Sequence, residues 1–182
     1  MNIPQILATA AATLAAALTC TSAQAQLIPT PSYLELGLVN ATVDTGAGKA
    51  SPTAVRLISG TDFHKYMGLE ALFALSTSDG SATINNVPGR LKINNSWGLY
   101  LKPKFDVTPE IEMFGRIGFA STSLSASGSL ASASGTSQSG AYGLGLRFKF
   151  NKSLGINLDY MTYLQSGNTD VKGATIGLGY RF

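Results

Sequence analysis

The chain is 182 residues long, a single domain's worth, and only 13% of its residues are charged, where ordinary soluble proteins carry about 25%. So thin a polar cover does not suit a water-facing surface, and the formal charge of +3 is spread along the chain with no basic cluster interleaved with aromatics, which excludes a nucleic-acid footprint. After residue 25 no run approaches the ~18 continuous apolar residues of a membrane-crossing helix, so a spanning structure must be a closed barrel, the other way to satisfy the backbone in lipid.

Residues 1–25 contain no Asp, Glu, Lys or Arg, are apolar from Ile6 to Leu18, and end on Ala23-Gln24-Ala25, a small-x-small site before Gln26. The segment reads as an export signal cleaved after Ala25, leaving 26–182 as one mature barrel domain. Cys20 offers a rival reading as a lipidated residue, against which Leu18-Thr19-Cys20 places Thr where Gly or Ala is usual. It is the only cysteine, so cleavage after Ala25 leaves no disulfide, thiol nucleophile or cysteine metal site.

Downstream, apolar residues alternate with small or charged ones in eight runs, at 33–41, 53–59, 66–76, 93–105, 111–120, 140–150, 154–164 and 171–182. Eight is the smallest usual strand number for an outer-membrane barrel, and an even number brings both ends to one side. The connections at 42–52, 77–92 and 121–139 are long, those at 60–65, 106–110 and 151–153 are tight, and the last, at 165–170, is short for its side. Short periplasmic turns and longer outer loops are the asymmetry of such barrels. The Ser-rich segment 121–139 has no charge, no proline and almost nothing to bury, and is expected to be a mobile loop. The predicted fold is therefore all-β, an eight-stranded antiparallel up-and-down transmembrane barrel.

A soluble ligand-binding barrel alternates too, with its apolar residues inward, and face composition separates the two. One face carries Leu34, Leu36, Leu38, Leu69, Phe73, Trp97, Leu99, Ile117, Phe119, Leu144 and Leu146; the other is largely small, with Gly37, Gly68, Ser96, Gly98, Gly118, Gly143, Gly145, Gly155, Gly177 and Gly179. Glycine weakens an exposed strand and is useful where space is tight, so the small face is the lumen and the apolar face meets lipid. By strand parity the lumen face also holds Glu35, Arg56, Glu70, Lys102, Glu112, Arg116, Arg147 and Asp159. Four acids and four bases in so narrow a tube must pair, giving an ion ladder that plugs the bore; an ion path or catalytic cluster is the functional alternative. Lys104, Lys149 and Arg181 fall nearer the periplasmic end, where hydration makes their pairing optional.

The only histidine, His64, falls in the 60–65 turn at the periplasmic mouth, so Ser-His or Cys-His catalysis is confined to that turn and no enzymatic activity is expected. Trp97 near the outer rim, with Tyr66, Phe105, Phe150, Tyr180 and Phe182 near the periplasmic one, fits interfacial aromatic girdles. Gly143 and Gly145 lie inside a strand with no helix following, so a nucleotide loop fails on context. Asp44, Asp79 and Asp170 are scattered over outer loops without calcium-loop spacing. No cofactor or metal is expected.

The last ten residues put Ala174, Ile176, Leu178, Tyr180 and Phe182 on one face and Gly173, Thr175, Gly177, Gly179 and Arg181 on the other, a two-faced closing strand. With Ser32-Tyr33-Leu34-Glu35-Leu36-Gly37-Leu38 and Gly140-Ala141-Tyr142-Gly143-Leu144-Gly145-Leu146-Arg147-Phe148, it resembles the small outer-membrane β-barrel proteins, specifically the OmpA-like transmembrane domain in its stand-alone, porin-like form. The resemblance covers essentially the whole mature chain and implies a bacterial outer-membrane location. It also implies that Phe182 is the carboxyl-terminal assembly signal read by the outer-membrane insertion machinery. Unlike the larger members, the chain is expected to lack a peptidoglycan-binding domain after the barrel. The expected partners are outer-membrane lipids and lipopolysaccharide, with the insertion machinery and periplasmic chaperones during assembly, and the expected state is a monomer. The expected function is non-enzymatic: supporting envelope integrity and presenting loops for surface interaction, with a narrow or gated channel as the alternative.

Overall fold

The computed structural model describes residues 32–46, 48–84, 87–128 and 133–182. The expected export signal, its cleavage after Ala25 and Cys20 lie outside them. Ten strands follow in chain order: β1 (Ser32–Asp44), β2 (Lys49–Ala50), β3 (Thr53–His64), β4 (Met67–Ser78), β5 (Gly80–Ile84), β6 (Val87–Thr108), β7 (Ile111–Gly128), β8 (Ala133–Lys149), β9 (Leu154–Ser166) and β10 (Thr169–Arg181). Eight of them form an antiparallel meander in which β10 returns to β1, from Tyr33↔Arg181 to Asp44↔Asp170. That seam leaves the ring without a free edge, which is how a sheet survives in lipid. The short β2 and β5 pair onto β1 and β6 outside the ring.

Alternation decides the two surfaces. Along β10, Ile176, Leu178 and Tyr180 are exposed while Gly177 and Gly179 between them are buried, and the same alternation runs along β1 and β4. The outward side chains are large and apolar, with Phe119 77% and Leu144 73% exposed, an arrangement that only lipid tolerates over a whole wall. Exposed aromatics rim the belt: Tyr66, Phe105, Phe150, Tyr180 and Phe182 at the end with the tight turns, and Phe73, Trp97, Phe119, Tyr142 and Tyr160 toward the other. The tight turns mark the periplasmic end.

The strands outrun the expected ones, and several expected loops are paired. β7 and β8 continue to pair through Thr122↔Ser137, Ser123↔Thr136 and Ser125↔Ser134, so residues 121–128 and 133–139 of the expected mobile loop are ladder, and 129–132 lie outside the described residues. The ladder's cross-strand hydroxyls, such as Ser123 Oγ to Thr136 Oγ1 at 2.8 Å, replace the apolar alternation by which a strand is recognised. Segment 42–52 contains the end of β1 and β2, and 77–92 contains β5 and the start of β6. At the opposite end, β3 runs through the expected 60–65 turn to His64. Gly60 is there a socket, not a turn residue: a Cβ on it would lie 2.4 Å from Cζ of Tyr33. The short β9–β10 turn does need its glycine, Gly167, at a φ of 57°.

Inside, the bore has two storeys. Toward the outer end, Val39, Val43, Leu91, Ile93, Leu164 and Val171 belong to one buried apolar cluster, which reaches through Leu72, Met161, Tyr163 and Tyr100 to Ile58 at the level of Glu35. A bulge in β9 where it meets Val171 and Lys172 turns Met161, Thr162, Tyr163 and Leu164 all to buried positions. Below this cluster the bore is charged.

Candidate functional site: the ionic bore

Two arginines organise the charged storey. Arg56, from β3, holds Asp159 with both terminal nitrogens, Nη1 to Oδ1 at 2.8 Å and Nη2 to Oδ2 at 2.6 Å, and Nη2 also reaches Glu35 Oε1 at 2.5 Å. Arg116, from β7, spreads over three carboxylates: Nε to Glu70 at 2.5 Å, Nη1 to Asp159 at 2.8 Å and Nη2 to Glu35 at 2.9 Å. The planar fork of a guanidinium suits it to such shared, multi-oxygen binding. The remaining acceptor capacity is met by neutral donors, Tyr33 OH to Glu70 at 2.7 Å and Asn157 Nδ2 to Glu35 at 2.6 Å.

Lys102 completes the cluster differently. Its Nζ stands 3.5 Å from Glu70 and 3.6 Å from Glu112, too far for hydrogen bonds, and lies over the rings of Phe114 at 4.4 Å and Tyr33 at 4.7 Å. Two aromatic faces thus add to the two carboxylates in holding the ammonium. Glycine makes room for this sandwich: a Cβ at Gly145 would sit 2.4 Å from Cζ of Phe114.

The eight charged residues named from strand parity all lie in the bore, buried. Seven join in one network. Arg147 stands apart, with no ion pair among the described residues; its register partner Glu112 leans to Lys102 instead. Lys104, Lys149 and Arg181, for which pairing was expected to be optional, are all paired. Lys104 and Arg181 share Asp62, at 2.5 Å from Lys104 Nζ, and Lys149 holds Asp106. Sequence reasoning missed Asp62 because it assigned 60–65 to a turn. The signal was present, since Gly60 and Asp62 extend the inward parity of Ala54, Arg56 and Ile58. Asn157 and the tyrosines Tyr33 and Tyr163 were also missed, though each falls on the inward parity of its strand. His64 ends β3, exposed at the periplasmic rim, its Nδ1 accepting the Tyr66 N–H at 3.2 Å.

A lipid-facing wall closed around a self-neutralised bore defines a small outer-membrane β-barrel. The sequence matches the outer membrane protein beta-barrel domain over residues 11–182, and the chain belongs to that family; it is a protein of the Gram-negative outer membrane. It is similar in fold to Ail, the attachment invasion locus protein of Yersinia pestis, solved in complex with the heparin analogue sucrose octasulfate, at 21% identity and a TM-score of 0.63, covering 84% of this chain and 99% of that one. Neisserial surface protein A superposes with a TM-score of 0.65 at 13% identity, over 83% and 97% of the two chains. The N-terminal barrel domain of Pseudomonas aeruginosa OprF does so with 0.63 at 15%, over 84% and 98%. No curated protein matches the chain.

Proposed function

We propose that this protein is a non-enzymatic outer-membrane barrel that is closed to solutes, supports the envelope and presents its outer hairpins for surface interaction. The observation that carries this reading is the filling of the bore by two seals in series, an apolar cluster above and an ion network below. A permeant would have to part pairs whose loss leaves buried charge, and then cross a dry segment. That also disfavours the channel alternative. His64 lies on the periplasmic rim with its Nδ1 engaged by the Tyr66 amide.

What remains free to act is the outer surface, where β6 exposes Arg90 and Lys92 on one face. Because Ail is solved with a heparin analogue, a sulfated glycan is the first probe for that face. The test pairs planar-bilayer recording of the purified barrel with binding of barrel-displaying cells to immobilised heparin. The reading expects no steady conductance, and adhesion that falls in Arg90→Gln/Lys92→Gln. Large, lasting conductance without adhesion would overturn it in favour of the channel.

A further inference from the structure

At the periplasmic end the bore opens into a cavity of about 560 Å³ whose lining includes six cations, Lys65, Lys104, Arg147, Lys149, Lys152 and Arg181, against two carboxylates, Asp106 and Glu112. Lys104 and Arg181 are answered by Asp62, and Lys149 by Asp106. Arg147 is not: it is 3% exposed, and its Nη1 has no hydrogen-bond partner. A guanidinium this little exposed, without a carboxylate of its own and lining an open cavity, is a ready partner for an anion. Lys65 and Lys152, exposed on the same cavity, make no ion pair among the described residues either.

Tyr66, Lys104 and Phe105 line this basic bowl and also a second hollow of about 1210 Å³. That second hollow is a cleft on the lipid side of the wall, walled by Met67, Pro103, Met113, Ile117 and Leu144. Its origin lies in the backbone. The β6–β7 ladder breaks between Leu101↔Ile117 and Lys104↔Phe114, where Pro103 has no N–H to donate and Gly115 no side chain to fill the gap. A basic bowl thus joins an apolar cleft at the level of the periplasmic aromatic rim.

We propose that the two hollows form one site for an anionic glycerophospholipid of the periplasmic leaflet. Its phosphate sits among Arg147, Lys152 and Lys65, and one acyl chain lies along the cleft at Pro103 and Gly115. A soluble phosphate would satisfy only the bowl; the cleft that meets it at Tyr66 and Phe105 is what selects a lipid.

Native mass spectrometry of the barrel in nonionic detergent, doped with phosphatidylglycerol, phosphatidylcholine or inorganic phosphate, tests this. One phosphatidylglycerol per barrel is expected to be retained in preference to phosphatidylcholine. Lys152→Gln, an exposed and structurally neutral change, should weaken retention about fivefold, the factor one cation near an anionic lipid contributes, and Arg147→Gln should weaken it further. Gly115→Leu, whose Cβ would lie 3.4 Å from Pro103 Cγ in the cleft, should lower lipid retention while sparing phosphate binding. Equal retention of the two lipids, or retention unchanged in both Lys152→Gln and Gly115→Leu, would overturn the site. Phosphate binding that is lost in Lys152→Gln, with lipid retention indifferent to Gly115→Leu, would show a soluble-anion site and overturn the lipid assignment. Should Arg147→Gln fail to fold, Lys152→Gln and Gly115→Leu decide alone.

Discussion

Arg116 touches Glu35, Glu70 and Asp159 at once, so removing it takes a cation from three buried carboxylates and leaves them only Arg56 and Lys102. Breaking a buried pair by deleting one partner costs roughly 3–5 kcal/mol. Arg116→Ala should therefore lower stability by about that much, read from urea unfolding in lipid vesicles. The outer pair of Lys49 and Asp44 is a control: the Lys49 side chain is 72% exposed, and Lys49→Ala should cost under about 1 kcal/mol. A loss for Arg116→Ala as small as that of the control would remove the network from the account of stability. Asp44, beyond the membrane belt, carries a pH prediction of its own. Its carboxylate accepts the Gly46 N–H at 2.9 Å and faces Lys49 at 3.1 Å, which together hold it below the ordinary value of 3.8. A lowered carboxylate stabilises the fold above its unfolded value and loses that contribution as pH falls through the lower, folded one. The β1–β2 turn should thus stay ordered at mildly acid pH and loosen only below about 4. A carbon-detected NMR titration of Asp44 with a midpoint at or above the ordinary value would contradict it.

Among the elements, strand parity carried most of what was legible in the sequence. Inward and outward residues alternate along the strands except where a bulge intervenes, as at Met161 to Leu164, and Glu35, Arg56, Glu70, Lys102, Glu112, Arg116, Arg147 and Asp159 were placed by counting alone. Parity cannot say which inward charges meet. That depends on neighbours across the bore, so the isolation of Arg147 and the sharing of Asp62 became visible only in three dimensions. Turn chemistry misled at Gly60, where a glycine served a tyrosine ring, and hydropathy misled at 121–139, where hydroxyls stand in for apolar contacts. Pro103 passed unremarked, although a proline inside a strand announces a break in the ladder. The elements also differ in what they hold together. Removing residues 123–137 takes away the outer end of the β7–β8 ladder and leaves the pairing from Ile111↔Phe148 to Ser121↔Gln138 intact within the ring. Deleting β10 undoes the seam with β1, whereas changing Phe182 to Ala keeps the main-chain bond from residue 182 to the Ser32 carbonyl and removes the exposed terminal ring expected to be read as the assembly signal. Outer-membrane assembly, followed by heat-modifiable gel mobility, should survive the first change and fall sharply with the others; equal assembly of all variants would refute the contrast.

At the scale of the whole molecule, the two storeys make the closure of the bore redundant. Glu112→Ala removes one carboxylate from beside Lys102 and should destabilise the barrel, yet the apolar cluster around Ile58, Met161 and Leu164 is untouched. That variant should unfold earlier while its planar-bilayer conductance stays at baseline. A variant that conducts steadily would show the ionic storey to be the only seal. The same network also sets the order of events when the barrel forms. Arg56 and Asp159 are 103 residues apart, Arg116 and Glu35 are 81, and Asn157 and Glu35 are 122, so each of these contacts waits until strands distant in the chain have curled toward one another. A half-zipped sheet can already pair Arg56 with Glu35 and Lys102 with Glu70 and Glu112 on neighbouring strands, but Asp159 and Asn157 meet their partners only when the far strands come round. Asp159 stays without its arginines until then, which disfavours partly wound barrels. Folding is then expected to be slow and single-exponential, with a rate limited by how long the two ends of the chain take to find each other.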